Sequence, residues 1–301
     1  MSDAPRFGVL VLPNQSWSNI LAQAQQVERL GFDLFTMADH FVDWSDVSRP
    51  WLEGWSILTA VAMATSRIRL ATYVTQIPLR HPAMLARQAL TVDHISNGRL
   101  EIGLGTGIAI DPSYDMMCIP NWDGKERVAR FKEYTQIVDL LLSNESSSFS
   151  GTYYGIQDAV VKPRPVQSPR PPIVIGALGP VMVRFSAQIA DTWNTMSFAE
   201  TFEKQLEDVA AKIDIANEAC AKIGRDSGSL RRSYLMFDPI ARSSGGSLSY
   251  YQSVGAFEDM AGRVMETGFS ELCLYYPVVA EQISVFERIA QDILPNMRAE
   301  G

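Results

Sequence analysis

Eight short apolar runs alternate along this chain with longer stretches whose apolar residues recur every three or four positions, and few folds accept that order. The first run, 7–12 (FGVLVL), stops at Pro13 and Asn14, as a fully buried strand does. Ile20, Ala24, Val27 and Leu30 then follow at helical spacing, with Ser16 placed to cap the helix and Gly31 to close it. The unit repeats as strand 34–38, helix 55–65, strand 68–72, helix 83–95 ended by Asn97 and Gly98, and strand 100–104. A less regular segment, about 108–172, reads as an ordered insertion with one helix at 127–142, a Ser-rich tract at 143–150 and a Pro-rich tract at 163–172. Alternation resumes with strand 173–176, a helix near 181–190, strand 192–196, and a long amphipathic helix marked by Phe202, Leu206, Val209, Ile213 and Ile223. Strand 232–237, a Ser/Gly-rich loop 243–249, a helix near 257–267, strand 271–275 and a helix near 283–294 complete the chain. Strands separated by helices run parallel through right-handed crossovers. The order predicts an α/β fold, a (β/α)8 TIM barrel filling 1–301 as a single domain, with a doubly wound open sheet as the alternative.

Charge narrows the partners. A formal net charge of -8 argues against nucleic acid and against an anionic membrane surface, both of which need clustered Lys and Arg, and leaves a small organic molecule as the expected partner. Cys118, Cys220 and Cys273 are far apart with no CxxC pair, so the expectation is buried or inert thiols, without a disulfide framework or thiolate metal site. The histidines His40, His81 and His94 show neither HxH nor HExxH spacing, so no metal is expected. Ser2, Asp3 and Pro5 precede the first strand without a basic-then-apolar leader pattern, and no apolar run approaches the roughly 20 residues of a membrane span, so a soluble cytoplasmic protein is expected.

Three places carry residues suited to chemistry. Asp39 and His40 directly follow the second strand, where a barrel presents its catalytic side chains, and Trp44 comes four residues later. An imidazole can move a proton or hydrogen-bond a ring carbonyl, and the adjacent carboxylate can raise its pKa or fix its tautomer; the structural alternative has Asp39 capping the next segment. Gly103, Gly105, Thr106 and Gly107 end the fourth strand, where missing Cβ atoms let backbone approach a ligand. This is not a dinucleotide fingerprint, because it continues into Ile108, Ala109 and Ile110 instead of a helix with a third spaced glycine. Gly176, Ala177, Leu178, Gly179 and Pro180 lead from the fifth strand into a helix starting near Val181, where backbone N–H groups make either an anion pocket or only a tight turn. Arg184 either adds charge there or faces solvent. Arg80, His81 and Pro82 enter the third helix, where either basic side chain reaches the catalytic face or stays on the surface, and His94 reads as a structural histidine among core-facing residues. No Ser or Cys stands in a nucleophile elbow.

Taken together, these segments resemble the bacterial-luciferase-like family of flavin-dependent oxidoreductases along nearly the whole chain. The resemblance rests on 24–40 (AQQVERLGFDLFTMADH), 64–70 (ATSRIRL), Arg80-His81-Pro82, 93–99 (DHISNGR), the GTG at 105–107, 162–167 (KPRPVQ), Ile175-Gly176, Gly179 and 190–194 (ADTWN). It implies reduced FMN or the deazaflavin coenzyme F420 as cofactor. A bulge at Tyr73-Val74, often with a non-proline cis peptide, would press on the ring, and the loop Ala177 to Val181 would take the phosphate. Asp39, His40 and Trp44 match the deazaflavin-dependent sugar-phosphate dehydrogenase branch, but Ile108 stands where that branch has an acidic glutamate, which makes a drier pocket. The resemblance therefore implies F420-dependent hydride transfer, with His40 assisting the proton and Asp39 orienting it. Its alternative is an FMN-dependent monooxygenase fed by a separate reductase. A non-catalytic flavin-binding protein and a metal-dependent barrel hydrolase stand further off. A homodimer through helices near the early strands is also implied.

Overall fold

The computed structural model describes residues 4–244 and 246–300, with the side chains of 242–244 and 300 outside the description. Ten strands alternate with helices: β1 (Arg6–Val11), α1 (Trp17–Arg29), β2 (Leu34–Asp39), α2 (Gly54–Ala64), β3 (Arg69–Gln76), α3 (Pro82–Ile95), β4 (Leu100–Gly105), α4 (Ser113–Met116), α5 (Gly124–Ser143), β5 (Ser147–Ser150), β6 (Gly155–Ala159) and β7 (Ile173–Gly176). Then come α6 (Pro180–Ile189), β8 (Thr192–Thr195), α7 (Phe202–Lys222), β9 (Arg231–Leu235), α8 (Pro239–Ser244), α9 (Val254–Glu266), β10 (Glu271–Tyr275), α10 (Ile283–Arg288) and α11 (Leu294–Glu300). Eight of the strands hydrogen-bond in the order β1-β10-β9-β8-β7-β4-β3-β2 and close into the expected parallel barrel, while β5 and β6 pair as a separate antiparallel hairpin.

By its contacts the chain divides into two compact units, 1–11 with 23–36 and 177–301, and 12–22 with 37–176. In the first, the Arg298 guanidinium reaches Asp33 at 2.8 Å, fastening the last helix to the α1–β2 turn. Trp193 of β8 donates its indole N–H to the Ala177 carbonyl at 3.1 Å, and the Ala177 amide donates to Asn194 at 2.9 Å. The 190–194 motif therefore sets the backbone leading into α6.

In the second unit, the 93–99 motif is a fastening device. Buried Asp93 accepts from the Val166 amide at 2.7 Å and from the Gln167 side chain at 2.9 Å, and His94 bonds the Arg164 carbonyl at 2.7 Å, so α3 holds the 162–167 segment. His94 is structural as expected, but it lies on the exposed side of α3 and not among core-facing residues, because its partner is a surface loop. Arg99 donates to the carbonyls of Ala62 (2.7 Å), Thr65 (3.0 Å) and Ile68 (2.8 Å), placing a cation at the C-terminal end of α2, where the unpaired carbonyls and the helix dipole favour it.

Three sequence expectations change. The third strand runs on past 72 to Gln76, and it carries the bulge implied at Tyr73-Val74, with a register shift between Ala71 and Thr75 and a cis peptide bond between Tyr73 and Val74. The Ser-rich tract enters the hairpin, whose turn is pinned when the Glu133 carboxylate accepts from the Thr152, Tyr153 and Tyr154 amides at 2.8–3.0 Å. The start of the 243–249 loop belongs to α8, capped where Asp238 accepts from the Ala241 amide at 2.9 Å, while residue 245 lies outside the described residues.

A Cβ at Gly103 would stand 1.7 Å from the Thr72 carbonyl oxygen, whereas one at Gly262 of α9 would meet nothing within 4 Å. Gly103→Ala is therefore expected to destabilise the fold by on the order of 3 kcal/mol, because backbone must move. Gly262→Ala should stabilise it by roughly 0.5–1 kcal/mol through lost unfolded-state entropy. Urea midpoints at unchanged m-value check both.

Candidate active site

β2 ends by delivering Asp39 and His40, but their side chains take separate partners. The Arg80 guanidinium binds the Asp39 carboxylate through both terminal nitrogens, with Nη2 donating to Oδ1 at 3.0 Å, and the same nitrogen reaches Glu53 at 3.5 Å. Burial works against the charge of Arg80, yet Asp39 more than offsets it and holds the guanidinium proton more tightly than usual. Asp39 thus fixes Arg80 and does not orient the neighbouring imidazole, which corrects the role expected for it. Of the two options open for Arg80, the structure takes the inward one, with a side chain only 14% exposed.

The carboxylate on His40 comes from the segment after β4. Asp111 Oδ2 lies 2.7 Å from His40 Nδ1, and the Gln76 side-chain amide donates to the same oxygen at 2.9 Å and to the Asp39 carbonyl at 3.3 Å. Gln76 is fixed in turn because the Tyr114 hydroxyl donates to its Oε1. Burial raises the Tyr114 phenol, against the opposing pull of Arg127, so it keeps the proton this bond needs. Burial would also raise Asp111, but hydrogen bonds from His40, Ser113 and Gln76 outweigh it and bring the carboxyl down to about 2. An ionised carboxylate only accepts, so a proton sits on Nδ1 between the two groups, with the Gln76 side-chain nitrogen also 2.7 Å from Nδ1, and Nε2 is the ring nitrogen turned away from the carboxylate. Trp51 donates to the His40 carbonyl at 2.8 Å and stands edge-on to its ring, fixing backbone and ring together.

Three of the expected glycines make room for neighbouring side chains. A Cβ at Gly105 would fall 2.4 Å from Val74 Cγ2, and one at Gly176 would fall 3.2 Å from both Val74 methyls, so these two glycines make room for the bulge residue. Gly107 has φ +77°, and its Cβ would lie 2.2 Å from the Tyr114 hydroxyl and 2.8 Å from Gln76 Oε1, so it clears space for the bond that fixes Gln76. Val74 itself stays half-buried at the end of β3, Tyr73 is buried, and Thr106 is half-buried with its carbonyl accepting from Arg127 at 3.1 Å. Arg127 also donates to the Trp122 carbonyl at 2.8 Å and to Asn121, holding the 106–123 segment against α5. Trp44 is half-buried, and Ile108 is half-buried beside Gly107.

In the other unit, α6 begins at Pro180 with Gly179 as an N-cap that supplies no side-chain bond, and Gly179, Pro180 and Val181 are exposed. A Cβ on Gly179 would meet nothing within 4 Å. Its absence leaves open space in front of a helix N-terminus, the arrangement an anionic group fits. Leu178 is half-buried, Ala177 is buried, and Arg184 faces solvent. Cys220 and Cys273 are buried as expected, but Cys118 is exposed. No helix among the described residues is long and apolar enough to cross a membrane.

Sequence reading missed Gln76, Asp111, Tyr114 and Arg127. Gln76 lies beyond the expected end of its strand, Asp111 and Tyr114 lie in a stretch without periodicity, and Arg127 opens an expected helix that carries no sign of its partners, so only the fold brings them to His40 or to the loop around it.

A sequence profile described as luciferase-like monooxygenase matches residues 2–244. An F420-dependent glucose-6-phosphate dehydrogenase of Beutenbergia cavernae is 26% identical, over 93% of this chain and 94% of that protein. A pyrimidine monooxygenase of Pseudomonas syringae is 33% identical over 61% of this chain and 53% of its own length. Against other F420-dependent glucose-6-phosphate dehydrogenases the chain spans only 49% to 64% of their length. The F420-dependent tetrahydromethanopterin reductase of Methanopyrus kandleri superposes with TM-score 0.79 at 18% identity, covering 98% of this chain and 99% of that one.

The Asp111 carboxyl is held lower in the folded chain than in the unfolded one, so its contribution is present above about pH 4 and is lost as pH falls toward 2. Wild type is expected to lose about 2 kcal/mol over that window from this group, and Asp111→Asn to lack that component, as urea unfolding at pH 5 and pH 2 would show.

Proposed function

Because this chain belongs to the luciferase-like monooxygenase family, we propose that this oxidoreductase passes a hydride between coenzyme F420 and a small organic substrate while His40 handles the accompanying proton. The observation that carries the reading is the His40–Asp111 pair, which engages Nδ1 and turns Nε2 away from the carboxylate. Oxidising an alcohol to a ketone removes a hydride from carbon and a proton from oxygen. Nε2 accepts that proton, and ionised Asp111 stabilises the imidazolium that results. In the reverse direction the same imidazolium returns it.

The chain's residues fit the coenzyme in two separate respects. Val74, half-buried and backed by Gly105 and Gly176, would support the ring, with Asp39, Trp44, Tyr73, Thr106 and Gly107 in the surrounding backbone. The uncapped α6 N-terminus at Gly179 would take a phosphate through backbone N–H groups, with Ala177, Leu178, Pro180 and Val181 forming its loop. When bound, the deazaflavin supplies a two-electron hydride donor or acceptor. The names of several relatives support this coenzyme over FMN. Asp111, three residues after Ile108, supplies the nearby carboxylate, but it is bonded to the base instead of standing as a separate acid.

Anaerobic turnover of F420, followed by its absorbance, is the direct test. His40→Gln should lower turnover by about 100-fold or more while changing the coenzyme dissociation constant less than threefold, as expected of a group that acts on the proton. Gly179→Asp should instead weaken coenzyme binding at least tenfold through repulsion of the phosphate. Turnover that requires dioxygen and reduced FMN supplied by a separate reductase would overturn the F420 reading in favour of a monooxygenase.

The dimer expected through early helices is carried here as a proposal, supported by Met63 of α2 and Met84 of α3, which are 74% and 58% exposed. Light scattering should give twice the chain mass, and Met63→Glu with Met84→Glu should reduce it to one.

A further inference from the structure

We propose that a cavity at the C-terminal end of β9 binds a small organic ammonium ion, a positively charged nitrogen carried on an apolar body. The cavity lies wholly within the first unit, among α7, α8, α9 and the segment 247–252. Its volume is about 330 Å³, within the range of sites for small ligands. Phe202, Tyr234, Met236, Phe237, Tyr250 and Met260 form its apolar wall. That wall is built before any ligand arrives. Tyr234, Met236, Phe237 and Tyr250 are 1%, 2%, 5% and 1% exposed, and neighbouring rings lock two of them: Phe198 stands edge-on to Phe237 at 5.3 Å between centroids, and Tyr251 to Tyr250 at 4.5 Å.

The polar atoms around the cavity decide the charge of its guest. Gln205 is already committed: its amide donates to the Ala199 carbonyl at 2.8 Å and to the Phe237 carbonyl at 3.4 Å, and its oxygen accepts from the Tyr234 hydroxyl at 3.2 Å. The Ala241 and Ser249 amides are committed too, each donating at 2.9 Å to a different oxygen of the Asp238 carboxylate. An anion would meet only the neutral side chains of Ser247, Ser249 and Gln252, because no lysine, arginine or histidine stands among the described residues of the wall. Arg263 lies over the Phe202 ring, 5.1 Å from its centroid, but Glu203 at 2.6 Å and Asp259 at 3.7 Å hold its charge. A cation, by contrast, meets two carboxylates. Each Asp238 oxygen has taken one donor and keeps room for a second, and exposed Glu200 lines the same cavity. A charge leaving water needs such a partner, and aromatic rings with polarisable sulfur favour an onium centre over an anion. The apolar body gains separately from covering the wall. Recognition here uses neither the coenzyme nor His40, so it is independent of the hydride-transfer reading.

The test is calorimetric titration of the whole protein with choline, its uncharged isostere 3,3-dimethylbutan-1-ol, benzyltrimethylammonium and phenylacetate. The same titrations on protein with isotope-labelled methionine methyl groups locate the site by NMR, the Met236 and Met260 signals being assigned through Met236→Leu and Met260→Leu. Choline should bind about tenfold or more tightly than the isosteric alcohol, benzyltrimethylammonium more tightly than choline, and phenylacetate not at all. Both methionine signals should shift with the cations. Asp238→Asn should weaken choline about tenfold while changing the alcohol less than about twofold. Glu200→Gln, at an exposed position where folding is not at stake, should weaken choline about threefold. Equal affinity for choline and the alcohol overturns the charge assignment, and cation binding that moves neither methionine signal overturns the site. The Arg242 side chain, on the same loop, lies outside the described residues, so Arg242→Ala is titrated alongside. Cation binding seen only in that variant would mean that the chain supplies its own guest, and it overturns the inference. Neither heat nor a methyl shift with any probe does the same.

Discussion

Asp111 is withdrawn from water, yet it stays ionised because donors from His40, Gln76 and Ser113 converge on it. That one fact propagates outward. An acceptor-only group at Nδ1 forces the imidazole proton onto that nitrogen, so the nitrogen left free is settled before any ligand arrives. Gln76 could have undone this by presenting its carbonyl, but Tyr114 donates to that carbonyl and turns the amide N–H toward Asp111. Tyr114 in turn needs the space that only a glycine at 107 leaves. The chemistry at one ring nitrogen is therefore set by a backbone position in a different segment.

The same economy governs the strand end beside it. The register shift in β3 moves Val74 off its ladder position, and the methyl groups then occupy volume that a Cβ at 105 or 176 would need. Three strands are committed to one side chain. Substituting any one of these positions changes the other two, so mutational effects within this cluster are expected to be non-additive, as they are among residues in direct contact.

The barrel was legible because burial of parallel strands writes itself into sequence as short apolar runs between helical periods, and β10 begins and ends where its run does. Asp39, His40 and Val74 were also legible, the first two from their place after β2 and the third from the family resemblance. The partner of His40 was not. Adjacent residues at a strand end point to opposite faces, so Asp39 next to His40 in sequence is nearly the worst placed carboxylate to bond it, whereas Asp111, 71 positions away, is well placed. Sequence adjacency pointed to the wrong acid for a geometric reason. The glycines at 105, 107 and 176 were legible as places of close approach, but not the side chains of Val74 and Tyr114 that stand against them, because spacing alone carries no sign of a partner from another segment.

Ion pairing also decides what the loops present to a ligand. Asp39 and Arg80 lie side by side at the ends of β2 and β3 and cancel as a buried bidentate pair, which costs desolvation and adds little net stability but leaves no lone charge near the imidazole. Had Arg80 been free, an anion would be the natural guest. With both neutralised, the field at His40 is set mainly by Asp111, which meets the ring on the far side from Nε2 beside the Gln76 amide. A neutral substrate feels that field only when the proton moves, so the interaction strengthens as charge develops on the ring, and stabilisation of that kind raises the rate instead of merely tightening binding.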